Sequence, residues 1–493
     1  MARRIRWLGV GMVLCFFVLF LQLNNIQVVK AHQYANDPDN PSVIAKAQQP
    51  RGVIQSADGQ TLAKTVPAPK GSDVKYQRIY PKDWATLFSG IVGIDSRFSN
   101  YGVEAFYNSY LVAHNKPVTS LKDLLTTGGP ITDTVTLTIS TKMQQAAQAA
   151  LANQTGAIVA IDPQTGAVLA MYANPTYDPN PLVSLNPTIS QNAFTQDNKV
   201  NLSGFAPFTS MAYQDSYFSP GSTFKTVTTA AVYDHAPQLI NASIPSFGPI
   251  PPNYFKGQTT PISNDSGGQC GGTISVMLPE SCDTGYAILG ADVGASGMTA
   301  EAQNFGFNQQ PPIDLPHGSS EISDFLQPNC YLGAQVYLAF SSIGQKCTTA
   351  SALQMAMVAS AFADNGVLMT PHVMADIHDS DGNLITTYQP SVWKQATSAT
   401  TAQAVSGLMQ QVVLHGTASG VGFPANDDVA AKTGTAQAGL GNTHVNAWMI
   451  AFAPASHPTI AIAVVVPNTQ LDKLGAQVAG PIVKAMIESV LGP

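Results

Sequence analysis

The sequence predicts a mixed α/β fold of the α+β kind, carried behind an extended N-terminal region and one transmembrane helix. Three observations lead there. An apolar run from Trp7 to Leu23 follows Arg3, Arg4 and Arg6. From about residue 146 onward, helical and strand patterns succeed one another along one long stretch. Two strand-length segments, Val445 to Ala453 and Thr459 to Pro467, stand just before a closing amphipathic pattern from about Leu474 to Val490.

Each element has a local cause. The run from Trp7 is apolar except for Gln22, ends at Asn24 and Asn25, and has about the length that crosses a bilayer. The arginines hold residues 1–6 inside and send the rest outward, so 7–29 is expected as an uncleaved signal anchor with the remainder extracytoplasmic. A cleaved signal peptide is the competing reading, but no small-x-small site follows the run at the usual place. Ala31 to Asn40 is polar and reads as a stalk opening a pedestal domain, 30–145. Within the pedestal, Thr126-Thr-Gly-Gly-Pro130 breaks the pattern before Asp133 to Ile139, an alternating strand. The second domain, 146–493, opens around an Ala/Gln-rich helix from Gln144 to Leu151. A hairpin from Ile158 to Tyr172 follows, with its turn at Asp162 to Gly166. Helices are expected after Ser222, from Ala350 to Ala363 and from Ala402 to Leu414.

Composition removes several function classes. Of the 493 residues only 11% are charged, against about 25% in an average protein. The net charge of −7 offers no broad basic face for nucleic acid. The nine histidines are scattered without an H-E-x-x-H pattern and read mostly as surface or loop residues. Gly290 to Gly297 lacks the context of a phosphate loop. No metal or cofactor is expected. Cys15 lies in the apolar run, which leaves Cys270, Cys282, Cys330 and Cys347 where disulfides persist. Four cysteines allow three connectivities; the sequence-local pairing, Cys270 with Cys282 and Cys330 with Cys347, closes the shortest loops, and four free thiols are the alternative.

The chemistry lies in three short motifs. Ser222-Thr-Phe-Lys225 is followed by Ser281-Cys-Asp283 and, far downstream, by Lys432-Thr-Gly434. A serine hydroxyl needs a base within hydrogen-bond reach, and residues three apart on a helix share a face. A lysine becomes such a base when burial and a second cation favour its neutral form, and Lys432 is a candidate for that cation. Pro220-Gly221 suits a helix N-terminus, whose free N–H groups face an oxyanion. An isolated S-x-x-K is usually only a polar helix face. The ordered set S-x-x-K, S-x-[ND], K-T-G is a signature of penicillin-binding proteins and serine β-lactamases.

The sequence resembles the class B penicillin-binding proteins, monofunctional D,D-transpeptidases, and among them the actinobacterial penicillin-binding protein A branch. Beyond the motifs, the resemblance rests on Arg51-Gly-Val-Ile, Gly102-Val-Glu104, Gly156 to Asp162, Tyr177-Asp-Pro-Asn180, Ile343-Gly-Gln345, Trp448 and Phe452-Ala-Pro454. It implies a penicillin-binding/β-lactamase-like transpeptidase domain, a central antiparallel sheet flanked by helices, above a dimerisation-like pedestal. By that resemblance Ser222 is the acylated nucleophile, Lys225 its base, Ser281 the proton relay, and Lys432 the electrostatic anchor. Thr433, Gly434 and Thr435 line the substrate strand, with the backbone N–H groups of Ser222 and Thr435 as the oxyanion hole. The family usually has asparagine where this chain has Asp283. Either the carboxylate still orients Lys225 and the substrate amide, or it marks a weakened site.

The implied substrates are peptidoglycan stem peptides ending in D-Ala-D-Ala, with β-lactams as covalent inhibitors. The implied partners are a RodA/FtsW-type glycan polymerase and other divisome or elongasome proteins, since the pedestal is too small to hold a glycosyltransferase. Two other functions stay open at this point: a β-lactam hydrolase or sensor, and a non-catalytic scaffold for a polymerase.

Overall fold

The computed structural model describes residues 2–25, 48–96, 99–114, 130–200, 204–214, 218–264, 267–316, 323–327, 334–438 and 443–492. Helix α1 (Ala2–Asn24) is continuous over 23 residues, and it exposes Trp7, Val13, Phe16 and Leu19. Among the described residues, no helix is long and apolar enough to cross a membrane. The expected stalk, Ala31 to Asn40, and the break at Thr126 to Gly129 lie outside the described residues.

The pedestal is built from β1 (Ile54–Gln55), β2 (Thr61–Pro67), β3 (Tyr76–Ile79), α2 (Lys82–Val92), α3 (Gly102–Phe106) and β4 (Thr134–Leu137). Its interior combines apolar residues such as Leu62, Phe88, Ile91 and Val103 with a buried ion-pair cluster. Glu104 is fully buried. One carboxylate oxygen takes Arg51 Nε at 2.6 Å, and the other takes Arg78 Nε at 2.6 Å and Tyr80 Oη at 3.2 Å. Arg51 also donates to Asn108 Oδ1 at 2.8 Å, and Arg78 to the Gly52 carbonyl at 2.6 Å. Two segments that the sequence places fifty residues apart, around Arg51 and Glu104, thus meet at one buried carboxylate.

The second domain starts with α4 (Thr141–Leu151), capped by Ser140, whose side chain accepts from the Met143 N–H. Then come β5 (Gly156–Ile161), β6 (Val168–Asn174), α5 (Lys225–His235), the hairpin β7 (Ile244–Phe247) and β8 (Cys270–Gly272), and α6 (Asp283–Asn304). The glycine-rich run from Gly290 lies inside α6, with a kink at Gly294. Strand β9 (Asp324–Phe325) pairs with β10 (Thr348–Thr349); α7 (Ala352–Ala363) follows, then β11 (Val367–Met369), β12 (Met374–His378), β13 (Leu384–Thr387) and β14 (Val392–Gln395). The chain ends with α8 (Ala399–Leu414), β15 (Ala430–Ala438), β16 (His444–Ala453), β17 (Ile460–Thr469) and α9 (Gly475–Leu491).

Five strands form an antiparallel sheet in the order β15-β16-β17-β5-β6. From Ile460 to Val466 every residue of β17 is buried, which requires cover on both faces. Helix α7 supplies one layer; α9 and α4, packed on each other, supply the other. The sheet order leaves β15, which carries Lys432, at the edge.

A second sheet joins the two domains. Its order is β13-β12-β4-β1-β2-β3, and β12 runs antiparallel to β4 with Ile377 opposite Val135. Sitting between β1 and β12, β4 buries three successive residues instead of alternating. The expected alternation fails because a central strand has no wet face. Two side-chain ties reinforce the join. Tyr107 Oη donates to Asp314 Oδ2 at 2.6 Å while Asp314 accepts the Val373 and Met374 N–H groups. Asn180 donates to the Tyr80 carbonyl and accepts its N–H.

Candidate active site

Ser222 does not open an α-helix. Gly221–Phe224 is a 3₁₀ turn, and the α-helix begins at Lys225. The consequence for spacing is favourable, because residues three apart eclipse in a 3₁₀ turn. Gly221 has φ +55, and a Cβ there would lie 2.9 Å from the Thr435 carbonyl oxygen. Its N–H donates to the Gly344 carbonyl at 2.9 Å, so the turn that carries Ser222 is clamped between β15 and the Ile343-Gly-Gln345 segment.

The three motifs converge on one buried point. Lys225 Nζ, fully buried, donates to Ser222 Oγ at 2.9 Å, to the Ser281 carbonyl at 2.7 Å and to Asp283 Oδ1 at 2.7 Å. Those three contacts account for the three donors of an ammonium. Ser281 Oγ lies 3.3 Å from Lys225 Nζ and 2.8 Å from Lys432 Nζ, so it bridges the two lysines. Ser281 holds φ at 60°, a left-handed value that a non-glycine residue adopts only when its surroundings demand it. That backbone accompanies an Oγ placed between the two lysine amines. Asp283 is the first residue of α6, where the helix dipole favours a carboxylate.

On the opposite wall, Thr433 Oγ1 and Thr417 Oγ1 are 2.6 Å apart, and Thr435 Oγ1 accepts the Gly475 N–H at 3.1 Å. A Cβ at Gly434 would sit 2.7 Å from the Pro220 carbonyl oxygen, which explains the glycine. A groove of about 260 Å³ opens in front of these groups, lined among others by Ser222, Ser281, Thr433 and Thr435. It is also lined by Asn264, Glu280, Thr417 and Gly475, which the motifs do not announce. Asn264 ties the β7–β8 hairpin to α6, accepting the Thr284 N–H and donating to the Phe247 carbonyl; no spacing rule points to it.

Cys270 and Cys282 form a disulfide. Cys347 is also disulfide-bonded, and its expected partner Cys330 lies outside the described residues. The Cys270–Cys282 bridge ties β8 to the middle residue of the second motif. Its short loop corresponds to about 3 kcal/mol of chain entropy. Replacing both cysteines by serine is expected to lower the unfolding free energy by about 2–3 kcal/mol and to slow acylation by β-lactams. Urea unfolding and stopped-flow labelling of the two proteins check this. Among the histidines, which the sequence places mostly at the surface or in loops, His372 is buried and stacked on Tyr388 with ring centroids 3.6 Å apart. Burial pushes its pKa below the usual range. Among the described residues no group of His, Cys, Asp and Glu is placed to hold a metal ion.

A Ser–Lys acyl-transfer constellation on the edge of a five-stranded antiparallel sheet, sandwiched by helices, defines the class of penicillin-recognising serine enzymes. Residues 156–488 match the penicillin binding protein transpeptidase domain, and residues 51–134 match the penicillin binding protein A dimerisation domain. The chain is 32% identical to the peptidoglycan D,D-transpeptidase PbpA of Mycolicibacterium smegmatis over 99% of its own length and 98% of that protein. It is likewise 32% identical to PbpA of Mycobacterium tuberculosis over the same shares. Among solved structures, penicillin-binding protein A from M. tuberculosis as its ceftriaxone acyl-enzyme superposes with a TM-score of 0.80 at 29% identity, covering 91% of this chain and all of that one. The penicillin G acyl-enzyme of the same protein gives 0.79 at 29% identity, over 90% of this chain and all of that one. This chain belongs to the penicillin-binding protein transpeptidase family, as a class B protein of the PbpA type.

Proposed function

We propose that this peptidoglycan D,D-transpeptidase acylates Ser222 with a D-Ala-D-Ala stem peptide and passes the acyl group to an acceptor amine. The observation that carries the assignment is Ser281 Oγ lying within 3.3 Å of both Lys225 and Lys432, with Lys225 2.9 Å from Ser222 Oγ. Neutral Lys225 takes the Ser222 proton as Oγ bonds to the penultimate D-Ala carbonyl carbon. The scissile C–N bond breaks, and the proton reaches the departing D-alanine amine through Ser281. Lys432 offsets the negative charge that develops nearby. The donor peptide lies along the free edge of β15, pairing as an added strand beside Thr433, Gly434 and Thr435. The N–H groups of Ser222 and Thr435 hold the oxyanion.

Incubation with a fluorescent penicillin followed by peptide mass mapping tests this assignment. A stable adduct on Ser222 is expected. Rapid turnover would favour a β-lactam hydrolase, and no adduct on folded protein would favour a scaffold.

Asp283 Oδ1 accepts from Lys225 Nζ at 2.7 Å, a charge-assisted contact that has to loosen as Lys225 takes the Ser222 proton. Asp283→Asn is therefore expected to speed acylation at neutral pH, about tenfold for each 1.4 kcal/mol of ion-pair energy removed. A slower rate would show a site built around the carboxylate.

The apolar run from Trp7 to Leu23, held as one helix with exposed apolar side chains and preceded by three arginines, supports a signal anchor that places the catalytic domain outside the membrane. Anchor and pedestal together are the surfaces assigned to a RodA/FtsW-type polymerase and its divisome or elongasome neighbours.

A further inference from the structure

Glu280 is the one charged side chain among the described residues lining the groove in front of Ser222. Its own backbone is fixed on every side. The N–H groups of Glu280, Ser281 and Cys282 donate to the carbonyls of Val276, Leu278 and Met277, and the Thr417 N–H donates to the Pro279 carbonyl. The disulfide at Cys282 closes the turn. An exposed carboxylate is thus presented from a rigid frame, directly beside the residue that bridges the two lysines.

We propose that Glu280 is the specificity-determining residue of the acceptor subsite, where it draws in the ammonium of the incoming peptide and disfavours acceptors with a free carboxylate next to the amine. This rests on the transpeptidase reading above. The terminal D-alanine leaves as an amine past Ser281, and by microscopic reversibility an acceptor amine enters along the same path. An alkyl amine of the lysine type, with a pKa of about 10.4, reaches the enzyme as a cation. Glu280 meets that cation at the mouth of the groove. The ammonium then gives up a proton to solvent, and the neutral amine attacks the acyl carbon. A second proton passes from the amine nitrogen through Ser281 and Lys225 to Ser222 Oγ as the ester C–O bond breaks. Since Glu280 stays hydrated, its pull on a cation is modest, on the order of five- to tenfold in acceptor capture.

The test is a competition within one acyl-enzyme. The full chain in detergent is acylated with a D-Ala-D-Ala peptide in the presence of a lysine-type amine. The ratio of aminolysis to hydrolysis products is read by mass spectrometry, with water as the uncharged competitor. Glu280→Gln is expected to lower that ratio about five- to tenfold by raising the KM for the amine, and Glu280→Lys to lower it further. For an acceptor with a carboxylate beside its amine, Glu280→Gln is expected to raise the ratio. Unchanged ratios in both variants would overturn the assignment of Glu280 while leaving the transpeptidase reading intact. Failure of the unaltered chain to form any Ser222 adduct would overturn both.

Discussion

Ser222→Ala is expected to abolish covalent labelling by penicillin while leaving the thermal unfolding of the chain unchanged within a few tenths of a kcal/mol. The separation of the two effects follows from the contacts. Removing one hydroxyl takes away a single partner of Lys225, whose ammonium keeps the Ser281 carbonyl and Asp283 Oδ1, both at 2.7 Å. No buried charge is stranded. The proposed nucleophile itself is gone. Lys225→Ala tests the base. It is expected to slow acylation by about 10²–10⁴, the usual worth of a positioned base. It also costs stability, because Asp283 loses its counter-ion. Gel fluorescence against time and calorimetry on the same samples read both quantities. A labelled Ser222→Ala protein would remove Ser222 from its role.

In the pedestal, Glu104→Ala is expected to lower the unfolding free energy by about 3–5 kcal/mol, the largest stability effect of any single substitution considered. The carboxylate is fully buried between two guanidinium groups, each at 2.6 Å. Alanine leaves both cations inside without their partner, a cost set by desolvation more than by the lost attraction. Glu104→Gln keeps the volume and isolates the charge. Burial alone would push the Glu104 carboxyl up, but Arg78 and Arg51 together hold it below its ordinary value. A depressed folded-state value gives stability that is present above about pH 4, where the unfolded chain titrates, and that is lost as pH falls through the lower folded value. The wild-type chain should therefore lose stability more steeply than Glu104→Gln below about pH 4. Urea midpoints across acidic pH decide it. Equal slopes would place the pair's contribution elsewhere.

The parts of this architecture that were legible in the sequence are those where residue type and chemistry constrain each other. Ser222 and Lys225 share one short motif, while Ser281 and Lys432 lie far from it in the chain; the ordered motif set and the family resemblance bring them together, and the structure sets them within hydrogen-bond reach. The long apolar strands β16 and β17 also announce themselves, since burial on both faces leaves little choice of residue. What stayed hidden has no such coupling. β12 is five residues of mixed polarity, and nothing in Met374 to His378 advertises pairing with β4. Arg78 looks like any surface arginine until Glu104 is found behind it. Pro-Gly precedes α-helices and 3₁₀ turns alike, so Pro220-Gly221 does not tell which of the two begins at Ser222. Glu280 escaped because an exposed acid beside a motif resembles ordinary solvation.

The sheet that joins the two domains makes them one cooperative unit. A chain cut between β4 and β5 would strip β12 of its inner neighbour, uncovering a ladder edge beside the apolar Ile377. The excised catalytic half would then present an adhesive border, prone to recruit strands from other copies. Solubility of this enzyme is in that sense a property of the whole ribbon, and a break ahead of β1 severs no shared strand among the described residues.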